Sequence, residues 1–153
     1  MKQLKVLLIL LAVFAVCYGF DFIKSKTVTI EVVSISAEPA EATPDKPVDI
    51  RVRLCSKNGD GIPDHNLYAI TQSGGSFKSY RVKTDANGYA TFTYYPYKLL
   101  SYQTLTDAII LIRDESNSVF IEVYPTLELS LDMIPPSESD SGDSGVSNDS
   151  IFD

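Results

Sequence analysis

Alternating hydrophobic and polar residues predict a chain built mainly of short β-strands. The clearest alternation runs from Val48 to Leu54, where apolar residues at every second position are separated by Asp49, Arg51 and Arg53. Such a pattern is typical of a strand with one buried face. Further strands are predicted at residues 28–35, 67–71, 77–83, 89–95, 108–112, 119–123 and 127–131. Seven or eight strands, spaced by about 8–12 residues, predict an all-β fold with an antiparallel β-sandwich.

The segment Thr84–Thr93 (TDANGYATFT) gives the strongest local signal for this fold class. Its Asn87-Gly88 pair supplies the positive φ angles that a tight hairpin turn needs. The strand that follows places Ala90, Phe92 and Tyr94 on one face. This segment therefore predicts a turn that leads into a half-buried strand.

The sandwich is expected to span residues 27–132 as a single domain. Near its start, the apolar positions change face between Val32 and Val33, which predicts a β-bulge or a strand that changes sheets. Residues 37–47 contain three prolines and predict an irregular connection. No convincing helix is predicted within this range.

The N-terminus carries a targeting signal. Lys2 and Lys5 precede an unbroken apolar stretch from Val6 to Phe20. Residues 1–23 are therefore predicted to be a signal peptide or a membrane anchor. The stretch is shorter than the ~20 residues of a full span, and cleavage after Cys17 or Gly19 would suit a signal peptide. Both alternatives predict an exported protein that is membrane-anchored, secreted or held at the cell surface.

The C-terminal residues 133–153 are rich in Ser and Asp and poor in apolar side chains. They are predicted to form a disordered acidic tail, because they bury too little surface to offset the entropy of ordering. The net charge of the chain is −7. This charge argues against nucleic acid as a partner.

Cysteine usage also follows from export. Cys17 lies in the targeting segment, so Cys55 is alone in the domain and no disulfide is expected there. A thiol at the end of a strand predicts a partly buried small apolar residue.

The spacing of turns resembles that of a known class of domains. The strand–turn–strand series VDIRVRLCSKNGDGIPDHNLYAI (residues 48–70) contains Asn58-Gly59 and Ile62-Pro63, and it is followed by Gly74-Gly75 and then Thr84–Ala90. This series is similar to that of bacterial immunoglobulin-like (Ig-like) domains of the invasin and intimin type. The resemblance implies an Ig-like β-sandwich with a non-catalytic role in adhesion or spacing. Members of this class usually occur in tandem arrays, whereas this sequence holds one copy.

Few residues suggest metal or catalytic chemistry. Asn58, Asp60 and Asp64 resemble part of a calcium loop, but two carboxylates are too few for tight binding and turn formation explains the same residues. His65 is the only histidine, so a histidine metal cluster is excluded. The sequence also lacks the nucleophile-elbow, phosphate-loop and two-histidine motifs. We therefore predict no cofactor, no catalytic residue and no enzyme.

The tyrosines are the main candidates for binding. Four of them cluster around Pro96, and they are Tyr94, Tyr95, Tyr97 and Tyr102. Tyrosine is enriched at interfaces, although alternate tyrosines also fill β cores. Two functions follow. The first is a surface module for adhesion, spacing or envelope assembly, with a protein or glycan partner at the cell surface. The second is a small secreted protein that binds carbohydrate or another ligand through the tyrosine-rich loop.

Overall fold

The structure is a computed structural model that describes residues 2–137. It begins with one long helix, α1 (Lys2–Ser25), which reaches the first strand after only two residues. Ten strands follow within the described range: β1 (Val28–Ile35), β2 (Ala40–Glu41), β3 (Val48–Ser56), β4 (Asn66–Thr71), β5 (Ser76–Phe77), β6 (Arg81–Lys83), β7 (Tyr89–Tyr95), β8 (Ala108–Asp114), β9 (Thr126–Leu131) and β10 (Met133–Ile134). A single 3-10 turn, Glu115–Asn117, follows β8. The predicted disordered tail begins at residue 133, but Met133 and Ile134 form β10 and pair with β2, so the start of that prediction is wrong. From position 138 onward the tail lies outside the described residues.

Two four-stranded antiparallel sheets form the body of the molecule. One has the order β1-β3-β7-β5 and the other the order β6-β4-β8-β9. Their inner faces share one apolar core, which consists of residues such as Ile50, Phe92, Leu67, Ile110 and Leu131. The predicted Ig-like β-sandwich is therefore confirmed. The strands beyond the predicted seven or eight are very short, because β2, β5 and β10 have two residues each.

The predicted bulge in β1 is confirmed. Val32 lies opposite Val52 in β3, but the next paired residue is Ser34, opposite Arg51. Val33 is thus the extra residue on the bulged strand, and the apolar positions change face there as the sequence indicates.

Two predicted strands differ from the structure. Residues 77–83 are not one strand, because they contain the end of β5 in the first sheet and β6 in the second. Residues 119–123 alternate in hydrophobicity, yet they lie in the irregular connection between the 3-10 turn and β9. The backbone N–H groups of Val119, Phe120 and Ile121 donate to the carboxylate of Asp21 in α1. Because these donors are already used, they do not pair with a neighbouring strand.

The sandwich has two distinct ends. Strand β8 runs from one to the other over seven residues, a length of about 20 Å. The loop 96–107 precedes β8, and the loop 115–125 follows it. We call the end that holds the loop 115–125 and α1 the anchor end, and the end that holds the loop 96–107 the far end.

Candidate functional site

A buried carboxylate joins α1 to the sandwich at the anchor end. Asp21 lies near the end of the helix, and its side chain is fully buried. It accepts hydrogen bonds from the backbone N–H groups of Val119 at 3.0 Å, Phe120 at 2.7 Å and Ile121 at 2.5 Å. The hydroxyl of Ser118 lies 3.1 Å from the same carboxylate, but it donates its one proton to the carbonyl of Ile121, at 2.5 Å. Three N–H donors around one carboxylate compensate the cost of removing it from water.

Two further contacts complete this connection. The side-chain amide of Asn117 donates to the backbone carbonyl of Lys24 at 3.1 Å, one of the carbonyls that a helix leaves without a partner at its C-terminus. The rings of Phe20 and Phe120 meet edge to face, with centroids 5.6 Å apart. We call Asp21, Lys24 and the loop 117–121 the junction. Its polar groups are paired on both sides, so the end of the helix is packed against the domain.

The rest of α1 contacts little of the protein. Its apolar side chains are exposed along its length, among them Leu7, Ile9, Phe14 and Val16. The segment Gln3–Ser25 is long and apolar enough to cross a membrane, a test that signal sequences near an N-terminus also pass. The helix therefore has the length and composition that either a signal or an anchor requires.

The four candidate tyrosines occupy very different environments at the far end. Tyr94 is fully buried in the core, and its hydroxyl donates to the carbonyl of Gly74 at 2.8 Å. Burial raises the pKa of this phenol above its usual value. Tyr94 is thus not available as a contact residue, which corrects its place among the predicted binding tyrosines.

The other three tyrosines are nearer the surface. Tyr95 and Tyr97 are half-buried, while Tyr102 is 82% exposed. The hydroxyl of Tyr97 donates to the carbonyl of Thr106 at 2.6 Å and accepts from its N–H at 3.1 Å, so it braces the loop 96–107. Beside Tyr97 lies an open groove of about 320 Å³, lined mainly by polar residues such as Lys98 and Gln103.

The calcium candidates form a turn at the anchor end. The N–H of Asn58 donates to the hydroxyl of Ser56 at 3.3 Å. The carboxylate of Asp64 pairs instead with the ammonium of Lys83 at 3.0 Å. Among residues 2–137, no group of three His, Cys, Asp or Glu side chains is arranged to hold a metal ion. Asp60 lies in the same turn, where its carbonyl accepts from the N–H of Ser56 at 2.8 Å.

His65 has a partner that the sequence did not indicate. Its Nδ1 lies 2.8 Å from the carboxylate of Asp114, which is fully buried at the end of β8. The same carboxylate also accepts from the N–H of Ser116 at 3.0 Å and so caps the 3-10 turn. His65 and Asp114 are 49 positions apart, so no local pattern in the sequence connects them. The pair lies at the anchor end of the second sheet, between the start of β4 and the end of β8.

Cys55 is buried, as the sequence predicted in part. Its Sγ lies 3.7 Å from the carbonyl of Thr29 in the neighbouring strand. Burial raises the pKa of the thiol, and the nearby Glu31 carboxylate adds to this effect. Cys55 is therefore a weakly reactive core residue rather than a nucleophile.

Arginine and tyrosine side chains stack on the outer face of the second sheet. The guanidinium groups of Arg81 and Arg113 lie 4.8 and 4.9 Å from the ring centroid of Tyr68. Glu115 bridges the two arginines, at 2.8 Å from Arg81 and 3.2 Å from Arg113. Hydrogen bonding to Arg81 lowers the pKa of Glu115 below its usual value. Because the cations are already paired, this face is a stabilised surface of the sheet.

Comparison with known proteins finds similarity in structure alone. No protein-family model matches the sequence, and no curated protein is similar to it. A complex of the C-terminal 282-residue fragment of intimin with the intimin-binding domain of the translocated intimin receptor is 18% identical, with a TM-score of 0.43, over 66% of this chain and 33% of that one. The D0-D1 domain of intimin is 16% identical, with a TM-score of 0.46, over 71% and 49%. The D00-D0 domain of intimin is 12% identical, with a TM-score of 0.43, over 65% and 46%.

The chain spans between a third and a half of the length of the intimin structures it matches. At these identities and TM-scores the matches assign this chain neither a family nor a role. The class of protein, an Ig-like β-sandwich with an apolar N-terminal helix, rests on the strand order and the shared core.

Proposed function

We propose that this chain is a non-catalytic, membrane-anchored Ig-like module that acts at the cell surface in adhesion, spacing or envelope assembly. The observation that carries this proposal is the junction. The apolar helix does not end in a flexible linker, because Asp21 is buried against the sandwich and accepts hydrogen bonds from three consecutive backbone N–H groups. A helix fixed in this way suits a permanent anchor that holds a domain at the membrane.

The continuity of α1 supports a retained anchor. The helix runs without interruption through Cys17 and Gly19, the two positions after which a leader would be cleaved. Phe20, directly after Gly19, already contacts the sandwich through Phe120. The exposed apolar side chains before these positions would be covered by lipid in an anchored protein.

The sandwich would then present its far end away from the bilayer. Strand β8 separates the loop 96–107 from the junction by about 20 Å. The exposed ring of Tyr102 and the loop around Tyr97 are the surface we propose for contact with a protein or glycan partner. The edge strands β1 and β9 offer a second candidate contact site for a partner protein, because an unpaired strand edge can accept an additional strand.

The first test is the intact mass of the native protein together with its partition into membranes. We expect the full-length mass in the membrane fraction, and we expect the protein to stay there after a high-salt wash because the attachment is apolar. A matched control is the same chain with Leu10→Arg, which places a charge in the middle of the helix and should release protein into the soluble fraction. A soluble native protein that lacks the first ~17–19 residues would contradict the proposal.

The groove beside Tyr97 favours a second candidate function, binding of carbohydrate by the far end. Its polar lining next to an aromatic ring matches the hydrogen-bonding and stacking groups of a sugar site. Titration with a glycan panel, followed by tyrosine fluorescence, tests this candidate. Gln103→Ala should weaken a response to a glycan, whereas a panel without any response would leave the far end as a protein-contact surface.

A further inference from the structure

We propose that residues 118–121 form a second membrane contact, in which the side chains of Val119 and Phe120 enter the bilayer interface beside α1. Asp21 holds their backbone N–H groups on the protein side of the loop. This proposal rests on the retained anchor described above. The loop would then be part of the lipid-facing surface, and the sandwich would sit directly on the membrane rather than above it.

The length of the helix is the first step of the argument. The unbroken apolar stretch Val6–Phe20 has 15 residues, whereas a span requires ~20. Leu4, Phe22 and Ile23 extend the stretch, but Asp21 interrupts it with a carboxylate. An exposed carboxylate at that depth would be costly. The hydrophobic length is therefore sufficient only if Asp21 is kept away from lipid.

The junction provides this shielding. The side chain of Asp21 is fully buried, and the loop covers it. In return, the carboxylate satisfies three consecutive backbone N–H groups of the loop, those of Val119, Phe120 and Ile121. Irregular backbone is tolerated at membrane depth only where its polar groups are satisfied within the protein. Asp21 and the loop thus make each other compatible with an apolar environment.

The outward surface of the loop is apolar. Val119 is 57% exposed and Phe120 is 60% exposed, although both belong to residue types that usually pack inside. Phe120 contacts Phe20, whose ring is itself half exposed on the helix, and Ile23 is exposed one turn further on. The patch formed by Val119 and Phe120 is therefore continuous with the surface of the anchor.

This continuity identifies the occupant as lipid. A helix that crosses the bilayer brings Phe20 to the membrane, and Phe120 lies 5.6 Å from it, centroid to centroid. Tyr18 and Phe22 stack nearby, at 6.2 Å, as in the aromatic belts at membrane interfaces. Lys24 and Lys26 follow at the end of the helix, where long cationic side chains reach the headgroup region.

Tryptophan fluorescence tests the proposal directly, because the chain contains no tryptophan. Phe120→Trp in the full-length protein, reconstituted into phosphatidylcholine vesicles, gives a single reporter in the loop. Tyr102→Trp is the matched control at the far end. We expect the Phe120→Trp emission to be blue-shifted and to lose intensity with lipids brominated near the headgroup. The Tyr102→Trp emission should stay red-shifted and unaffected by brominated lipid.

A second reporter, Val119→Trp, guards against a local disturbance by the larger ring at position 120. If both loop reporters emit like Tyr102→Trp and escape quenching in a protein of confirmed full-length mass that stays in vesicles, the loop contact is overturned and the membrane anchor stands. If the native protein lacks its leader, the loop contact and the anchored module both fail. The mass of the same preparation distinguishes the two cases.

Discussion

Each end of the sandwich has an irregular loop whose backbone groups need hydrogen-bond partners, and the two ends supply these partners with different chemistry. At the anchor end, a buried carboxylate from a distant helix satisfies the backbone of the loop 117–121. At the far end, the loop 96–107 is braced by a phenol, since the Tyr97 hydroxyl bonds both backbone groups of Thr106. The backbone of the loop 117–121 thus depends on Asp21, which lies 98 positions before Val119. The loop 96–107 depends on Tyr97, which belongs to the loop itself.

An exposed aromatic ring therefore indicates a different contact at each end of the sandwich. Phe120 is exposed beside a helix of exposed apolar residues, so its environment points to lipid. Tyr102 is exposed on a loop about 20 Å away along β8, where its polar tip suits water or a partner surface. Exposure alone does not distinguish the two residues, and their position relative to α1 does.

The largest effect is expected from removing the carboxylate of the junction. Asp21→Ala leaves three backbone N–H groups without their acceptor, at a cost on the order of 4 kcal/mol, while the Ser118 hydroxyl keeps the carbonyl of Ile121. The amides of residues 119–121 should then exchange with solvent about a thousand times faster. Hydrogen exchange measures this, with the exposed Asp107→Ala at the far end as the control. Unchanged exchange in Asp21→Ala would mean that the junction is not held by its hydrogen bonds.

Substitutions of two glycines at the anchor end distinguish the cost of backbone strain from the cost of a steric clash. Both Gly88 and Gly59 have positive φ angles, 81° and 86°. A Cβ at Gly88 would lie 2.4 Å from the carbonyl oxygen of Leu54, whereas a Cβ at Gly59 meets nothing within 4 Å. We expect Gly88→Ala to cost about 3 kcal/mol and Gly59→Ala about 1 kcal/mol, as only the backbone strain applies there. Chemical denaturation compares them, and equal losses would show that φ alone decides.

At the far end, removing the hydroxyl of Tyr94 should lower the free energy of unfolding by a smaller amount, and removing that of Tyr102 by less still. Tyr94→Phe removes the hydrogen bond to the carbonyl of Gly74, which keeps a second donor in the hydroxyl of Thr71 at 2.7 Å. The loss should therefore be about 1 kcal/mol, the net value of one hydrogen bond. Tyr102→Phe should change the free energy of unfolding by less than about 0.5 kcal/mol. Thermal unfolding of both variants measures this; a larger loss in Tyr102→Phe would place that ring in a packed site.

Much of the fold follows from the sequence because its signals are local. The alternation at 48–54, the Asn87-Gly88 turn and the apolar run 108–112 correspond to β3, the turn before β7, and β8. The same alternation already places Tyr94 on the face of Ala90 and Phe92, which are both buried. That pattern was sufficient to assign Tyr94 to the core.

The junction was not predictable from such patterns. Residues 119–123 alternate as a strand does, and only the distant Asp21 explains why they do not form one. In sequence, Asp21 is simply the polar residue at the end of an apolar stretch. The pairing of His65 with Asp114 is hidden for the same reason, since long-range partners leave no periodic signal. Such misses thus fall where distant segments meet, as they do at the anchor end.

The smallest effect concerns pH at the far end, where an exposed ion pair holds the last described residues. The Glu41 carboxylate accepts from the ammonium of Lys46 at 2.6 Å and from the N–H of Ser137 at 2.9 Å. Hydrogen bonding to Lys46, and then to Ser137, lowers the pKa of Glu41 to about 2. A carboxyl group whose pKa is lower in the folded state stabilises that state fully above its unfolded pKa, ~4.3.

This contribution should therefore decline as the pH falls from about 4.5 to about 2, with protonation of Glu41. The amide of Ser137 should lose protection in that range before the amides of the core strands do. Glu41→Gln should remove the pH dependence of this amide, while Glu128→Gln on β9 should leave it unchanged. High salt should weaken the contact at neutral pH, because exposed ion pairs are screened. A Ser137 amide that responds to neither pH nor salt would show that the far end, like the anchor end, is held by buried contacts instead.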